Sequence, residues 1–134
     1  MVMTQATLVL GASLNPHRYS HQALLRLQGK GYKTIAMGLN QGKIGTVTVL
    51  RPFEKISGVH TVSLYLKPDH QGAYLDYLLN LKPQRVIFNP GTENPSLAKQ
   101  LTQRGIACEN ACTLVLLSTD QYEPQEGKES IEGQ

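Results

Sequence analysis

Tryptophan is absent from the 134 residues, and phenylalanine and cysteine occur only twice each. With so few large aromatics and no dense Lys/Arg run, the stacking-plus-basic-groove composition of nucleic-acid binders is not met. Cys108 and Cys112 form a single C-x-x-x-C, too isolated to read as a disulfide framework or a metal site, so two unbridged thiols are expected. No apolar run approaches the ~20 residues needed to span a bilayer. The segment 1–5 lacks the basic region and long apolar core of a secretory signal. The cytoplasm is therefore the expected address, and a membrane partner is not expected. C-x-x-C and nucleophile-elbow patterns are also missing.

What remains is an ordinary globular composition, 40% hydrophobic and 17% charged, with a length that suits one domain. The net charge of +3 hides an asymmetry. Residues 1–122 carry twelve Lys/Arg against six Asp/Glu, whereas 123–134 carry four acids and one lysine. The polar, acidic stretch 123–134 is expected to be a disordered tail on a single domain, 1–122. A basic body without nucleic-acid composition suits a small phosphorylated ligand.

The stretch 8–20 organises the chain. An apolar run, Thr7-Leu8-Val9-Leu10, ends in Gly11 and passes through a small, polar, basic loop to Ser20. That is a buried strand, a tight turn and a helix start, with Ser20 as candidate cap and Ala23, Leu24 and Leu27 on one helix face. Backbone N–H groups at such a helix N-terminus favour phosphates. Thr34–Met37 reads as a second strand, parallel to the first. Within 44–52, Val47-Thr48-Val49 is a candidate short strand and Pro52–Lys55 a candidate helical turn. Val59–Leu66 is a third convincing strand. A helix capped by Asp69 follows, with Ala73, Leu75, Leu78, Leu79 and Leu81 as its apolar set, and it stops at Pro83. Arg85–Phe88 is a strand, and a helix from Thr92 or Asn94 buries Leu97, Ala98 and Leu101. Ile106–Cys108 is a further strand before a last apolar segment.

The pattern predicts an α/β, Rossmann-like, doubly wound three-layer sandwich with a mostly parallel sheet of about five strands. Ligands of such sheets bind at the carboxyl ends of the strands, which nominates the loops 11–20, 38–43, 67–69 and 89–94. In the first, Gly11, Ala12 and Ser13 are small, and Arg18 and Ser20 add donors for a phosphate. The second, Leu39-Asn40-Gln41-Gly42-Lys43, holds no carboxylate. A dinucleotide site needs an acid there for the ribose hydroxyls, so NAD is disfavoured and a ribose with an extra phosphate, as in NADP or coenzyme A, fits better.

The combination Gly11-Ala12-Ser13-x-Asn15-Pro16-x-Arg18-x-Ser20, followed by Gly31-Tyr32-x-Thr34-Ile35, resembles the small single-domain CoA-binding proteins. Their fold is similar to the CoA-binding domain of the succinyl-CoA synthetase alpha subunit. Asn89-Pro90-Gly91-Thr92-Glu93-Asn94 with Ala98, and Asn110-Ala111-Cys112, resemble later motifs of the family. The resemblance implies CoA or an acyl-CoA as the cofactor, with the pyrophosphate on Gly11, Ala12, Ser13, Arg18 and Ser20, near Asn15. It places Asn40 and Lys43 beside the adenosine and its 3′-phosphate, Lys67 and Pro68 beside the adenine or pantetheine arm, and Asn89 and Pro90 within the site. The family tends to carry arginine where Lys67 stands, and Asp-Arg where Asn110-Ala111 stand.

His17 and His70 belong to loops of the same strand-end face, but no carboxylate pattern supports them, and catalysis is not expected. The reading is a stand-alone CoA-binding module with a small nucleotide-like ligand, no nucleic acid and no membrane, and with a homo-oligomer left open. An NADP-using oxidoreductase and a Rossmann-like interaction domain with a vestigial site are the alternatives.

Overall fold

In the computed structural model, residues 5–123 are described. Strand β1 (Ala6–Leu10) leads to helix α1 (Tyr19–Gly29) and strand β2 (Thr34–Met37). Strands β3 (Lys43–Ile44), β4 (Val47–Leu50) and β5 (Val59–Leu64) come next. Helix α2 (Pro68–Gln71), a 3-10 turn (Gly72–Tyr74), helix α3 (Leu75–Leu81), strand β6 (Arg85–Phe88), helix α4 (Pro95–Thr102), strand β7 (Ala107–Asn110) and helix α5 (Thr113–Ser118) complete it.

One seven-stranded sheet runs β3-β4-β2-β1-β5-β6-β7. Every pair is parallel except β3–β4. The expected α/β, doubly wound class is what forms, with two strands more than expected. The difference lies in the region that resisted placement. Gly45, at φ 62°, turns a short hairpin between Lys43–Ile44 and Val47–Leu50, and β4 then joins β2 in parallel. Pro52–Lys55 is a turn, not a helix.

Strand alternation divides the core between two faces. Leu8 and Leu10 join Val62, Leu64, Val86 and Phe88 beneath α3 and α4, with Leu78, Leu97 and Leu101 facing them. Val9 faces the other way, into a cluster with Ala36, Ile87, Leu24 and Leu27 of α1 and Leu117 of α5. No helix connects β4 to β5. The coil 51–58 crosses the first face instead, and its Ile56 packs onto the core there.

Two helix starts differ from expectation. The cap of α1 is Arg18, with no capping side-chain bond, because Ser20 lies inside the helix and its hydroxyl accepts from the Ser13 N–H at 3.1 Å. Lys67 is the cap residue of α2, since Pro68 begins the helix and leaves Asp69 in its first turn. The expected single helix 69–82 is broken by the 3-10 turn at Gly72–Tyr74, which exposes Ala73 and buries Tyr74 in its place. Asn94 caps α4 as read, accepting from the Leu97 N–H at 3.1 Å. Of the tail, Glu123 accepts a bond from the Tyr32 hydroxyl at 2.9 Å, and 124–134 lie outside the described residues.

Candidate functional site

The chain winds outward from β1 through β2 to β4 and then crosses back to β5 on the other side of β1, and a crevice opens where the strand order reverses. It is a cleft of about 850 Å³ at the carboxyl ends of β1, β2 and β5. Its floor is the β1–α1 turn. Gly11 sits at φ 96°, a region that favours glycine, and both Gly11 N–H and Ala12 N–H donate to the Met37 carbonyl at 2.9 Å. These two amides are thus spent on holding the turn against β2. Gly38 completes the lock, since a Cβ there would lie 2.3 Å from the Ala12 carbonyl oxygen.

Beyond Ala12 the loop is held by its own polar groups. Ser13 N–H donates to Ser20 Oγ, Asn15 N–H to Ser13 Oγ at 3.1 Å, and His17 N–H to Asn15 Oδ1 at 2.9 Å. His21 Nδ1 lies 2.9 Å from the Ser13 carbonyl. The chain therefore enters α1 in a fixed pose with Arg18, Tyr19 and Ser20 on the cleft. The first-turn N–H groups of α1 have no intrahelical acceptors and no side-chain cap, and no acid stands in that turn. An uncapped helix N-terminus beside an arginine is an anion-binding arrangement.

The opposite wall begins at Tyr65, whose N–H donates to the Leu10 carbonyl at 2.8 Å. Its phenol oxygen is buried near the Ser63 and Thr113 hydroxyls but without a hydrogen bond of good geometry, and burial pushes its pKa up to about 12. Leu66, His70 and Tyr74 continue this wall, and Pro52 of the crossover coil meets it. Phe53 stands behind, stacked on Tyr74 with ring centroids 4.3 Å apart.

Of the residues nominated from sequence, Gly11, Ala12, Ser13, Arg18, Ser20 and Asn40 share this cleft. The others lie elsewhere. Asn15 braces the loop from outside. Lys43, on β3, lines a separate depression of about 320 Å³ with Arg51 and Glu54. Lys67 and Pro68 are exposed at the start of α2, outside the cleft lining. Asn89 is 1% exposed. Its Nδ2 donates to Ser63 Oγ at 3.0 Å and to the Leu64 carbonyl at 2.9 Å, and its Oδ1 accepts from the Thr113 N–H at 2.8 Å. It joins β5, β6 and α5, with no polar atom left for a ligand, and Pro90 is exposed beside it.

Both histidines singled out from sequence, His17 and His70, line the cleft. The sequence nominated the loops that carry Tyr19 and Leu39 without singling out these two, and gave no role to Tyr65, Leu66, Pro52 and Tyr74. Position directly after β2 and β5 was a usable signal for Leu39, Tyr65 and Leu66. Pro52 and Tyr74 had none, because the coil crossover and the broken helix bring them there. Burial pushes the Cys108 thiol up to about 11, which keeps it protonated and unreactive near neutrality.

The CoA binding domain family matches residues 5–118. A search of curated proteins returns no match. Among solved structures, an uncharacterised protein is 41% identical, with 90% of this chain and 99% of that chain covered and a TM-score of 0.84. A protein from Thermus thermophilus is 20% identical, covering 88% of this chain and 90% of that one at a TM-score of 0.78. A hypothetical protein from Pyrococcus horikoshii OT3 is 21% identical, covering 81% and 77% at 0.71. The last two share the fold. The family match spans nearly the whole described chain, from β1 to the end of α5, and on that ground the chain belongs to the CoA binding domain family.

Proposed function

We propose that the chain binds coenzyme A or an acyl-CoA in the cleft at the carboxyl ends of β1, β2 and β5, as a stand-alone binding module. The observation that carries this reading is the uncapped N-terminus of α1 opening into the cleft beside Arg18. The pyrophosphate rests on the first-turn N–H groups of α1 and the Arg18 guanidinium, with Ser13 alongside. Gly11 and Ala12 contribute closeness rather than donors, because their amides already serve Met37. Family membership supports CoA over other nucleotides. So does Asn40 at the position where an acid would hold the ribose of NAD.

Calorimetric titration with CoA, acetyl-CoA, NADP and NAD tests the reading. CoA or acetyl-CoA binds, and at a hundredfold excess over Kd it stabilises the fold by about 2.7 kcal/mol. Binding of NADP, with neither CoA nor acetyl-CoA bound at millimolar concentration, would sink it.

A further inference from the structure

Coenzyme A brings three phosphate groups, and the cleft is short of positive charge. Among the described residues that line it, Arg18 is the one permanent cation and none is an aspartate or glutamate. Lys43 and Lys67, the lysines that strand order nominated, lie outside. What the fold delivers to the cleft instead is His17 from the β1–α1 loop and His70 from α2.

We propose that His17 and His70 are phosphate-contacting residues of this site, acting as imidazolium, so that its affinity for a phosphorylated ligand falls as pH rises through the imidazole range. The inference rests on the cleft being the CoA site. Both rings are exposed, but their anchors are fixed. The His17 N–H donates to Asn15 Oδ1 at 2.9 Å, its carbonyl accepts from Gln22 Nε2 at 3.5 Å, and the His70 N–H donates to the Lys67 carbonyl at 2.9 Å.

The charged and titratable groups around the pair favour coupling to the ligand. From the α1 side they are Arg18 and His21, and from α2 they are Lys67 and Asp69. Tyr65 and Tyr74 in the wall are held neutral by burial. Arg51 and Glu54 lie beyond Pro52, in the neighbouring depression. The two acids, Asp69 and Glu54, are both exposed and outside the cleft lining. No carboxylate among the described cleft residues therefore competes with the anion for the imidazoles. Ligand binding takes up a proton wherever a ring is neutral in the free protein, so log Kd rises with pH by as much as one unit per pH unit for each histidine.

Dephospho-CoA is the probe, because it keeps the pyrophosphate and lacks the phosphomonoester, a type of group that itself titrates near pH 6. It is titrated into the full chain at pH 5.5, 6.5, 7.5 and 8.5 at constant ionic strength, with circular dichroism to show the fold intact at each pH. The wild-type Kd rises at least about tenfold from pH 5.5 to 8.5. His17→Gln and His70→Gln each remove part of that rise. In the double variant, Kd at pH 5.5 approaches the wild-type value at pH 8.5 and changes less than about twofold across the series. A wild-type Kd that ignores pH, a full pH response in the double variant, or an equal loss of affinity at pH 5.5 and 8.5 would each overturn the assignment. Binding without a pH response overturns only the histidine pair. Absence of binding by both CoA and dephospho-CoA at every pH overturns the CoA reading as well.

Discussion

The two ends of the parallel sheet are built on opposite plans. At the amino-terminal ends of the strands, side chains close on one another around Tyr122, which is 3% exposed. Its hydroxyl lies 2.5 Å from Thr7 Oγ1, and its ring sits 4.7 Å beneath the Arg85 guanidinium carbon. Arg85 donates to Thr61 Oγ1 at 2.9 Å and to the Tyr122 carbonyl, and Tyr32 packs edge-on against Tyr122 at 5.0 Å. With Glu109 of β7 at 3.7 Å as well, the buried Arg85 cation has partners on three strands or segments. At the carboxyl ends, a helix start is uncapped, a buried phenol oxygen lacks a hydrogen bond of good geometry, and Tyr19 and Leu39 are 71% and 86% exposed. Unused bonding capacity has collected at one end and been consumed at the other. Stability and ligand binding should therefore respond separately to substitution.

The largest effect is expected at the closed end. Tyr122→Ala removes a buried ring and strips Arg85 of its cation–π partner, and should cost roughly 3–5 kcal/mol in urea unfolding. CoA affinity of the folded fraction should stay within about twofold, because Tyr122 is not among the residues lining the cleft. A comparable loss of affinity would show that the two ends are coupled. Gly38→Ala breaks the comparison in the other direction. Its added Cβ, 2.3 Å from the Ala12 carbonyl oxygen, forces the two cleft loops apart. Stability should drop by about 1–3 kcal/mol, with a clear loss of CoA affinity beside it. Loss of stability alone would mean that the turn relaxes without disturbing the site. Arg18→Ala isolates the open end. Its side chain is exposed, so melting should move by less than about 2 °C while CoA affinity falls roughly tenfold. Unchanged affinity would dissociate Arg18 from the pyrophosphate.

This contrast also marks where the sequence was readable. Apolar runs ending in glycine or an Asx-Pro turn identified the parallel strands, and the β1–α1 turn was legible because 11–20 is contiguous. Of the hairpin 43–50 only the second strand was legible, as Val47–Val49, since two-residue β3 owes its existence to pairing with β4 and carries no periodicity of its own. Asn89 has the strand-end position of a ligand residue, and only the location of Ser63 and Thr113 shows its bonds turned inward. Lys43 likewise stands next to the right strand in sequence, but the hairpin carries it past the cleft. Tyr74 reached the wall through a break at Gly72 that a continuous helical pattern concealed. The entire closed end was invisible for the same reason: Thr7 and Tyr122 are 115 residues apart, and nothing local links them.

The smallest predicted effect separates the two ends through their tyrosines. Tyr65, in the cleft wall, and Tyr32, at the closed end, both have pKa values raised from 10.0 to about 12, chiefly by burial, with the Glu123 carboxylate adding to the rise at Tyr32. An unfolded chain releases these protons first, so their contribution to stability is intact below about pH 10 and is lost as pH rises toward the folded values. Cys108, raised from 9.0 to about 11, moves the onset of that loss lower still. Urea midpoints should therefore hold to about pH 8.5 and decline above it. At pH 7 the two hydroxyls differ. The Tyr65 oxygen has no hydrogen bond of good geometry to lose, so Tyr65→Phe should shift stability by less than about 0.5 kcal/mol or raise it slightly. Tyr32→Phe forfeits its bond to Glu123 and should cost about 1 kcal/mol. Equal costs would mean that the phenol in the cleft wall is as fully bonded as the one at the closed end, and the distinction between an open and a closed end would fail at its most local test.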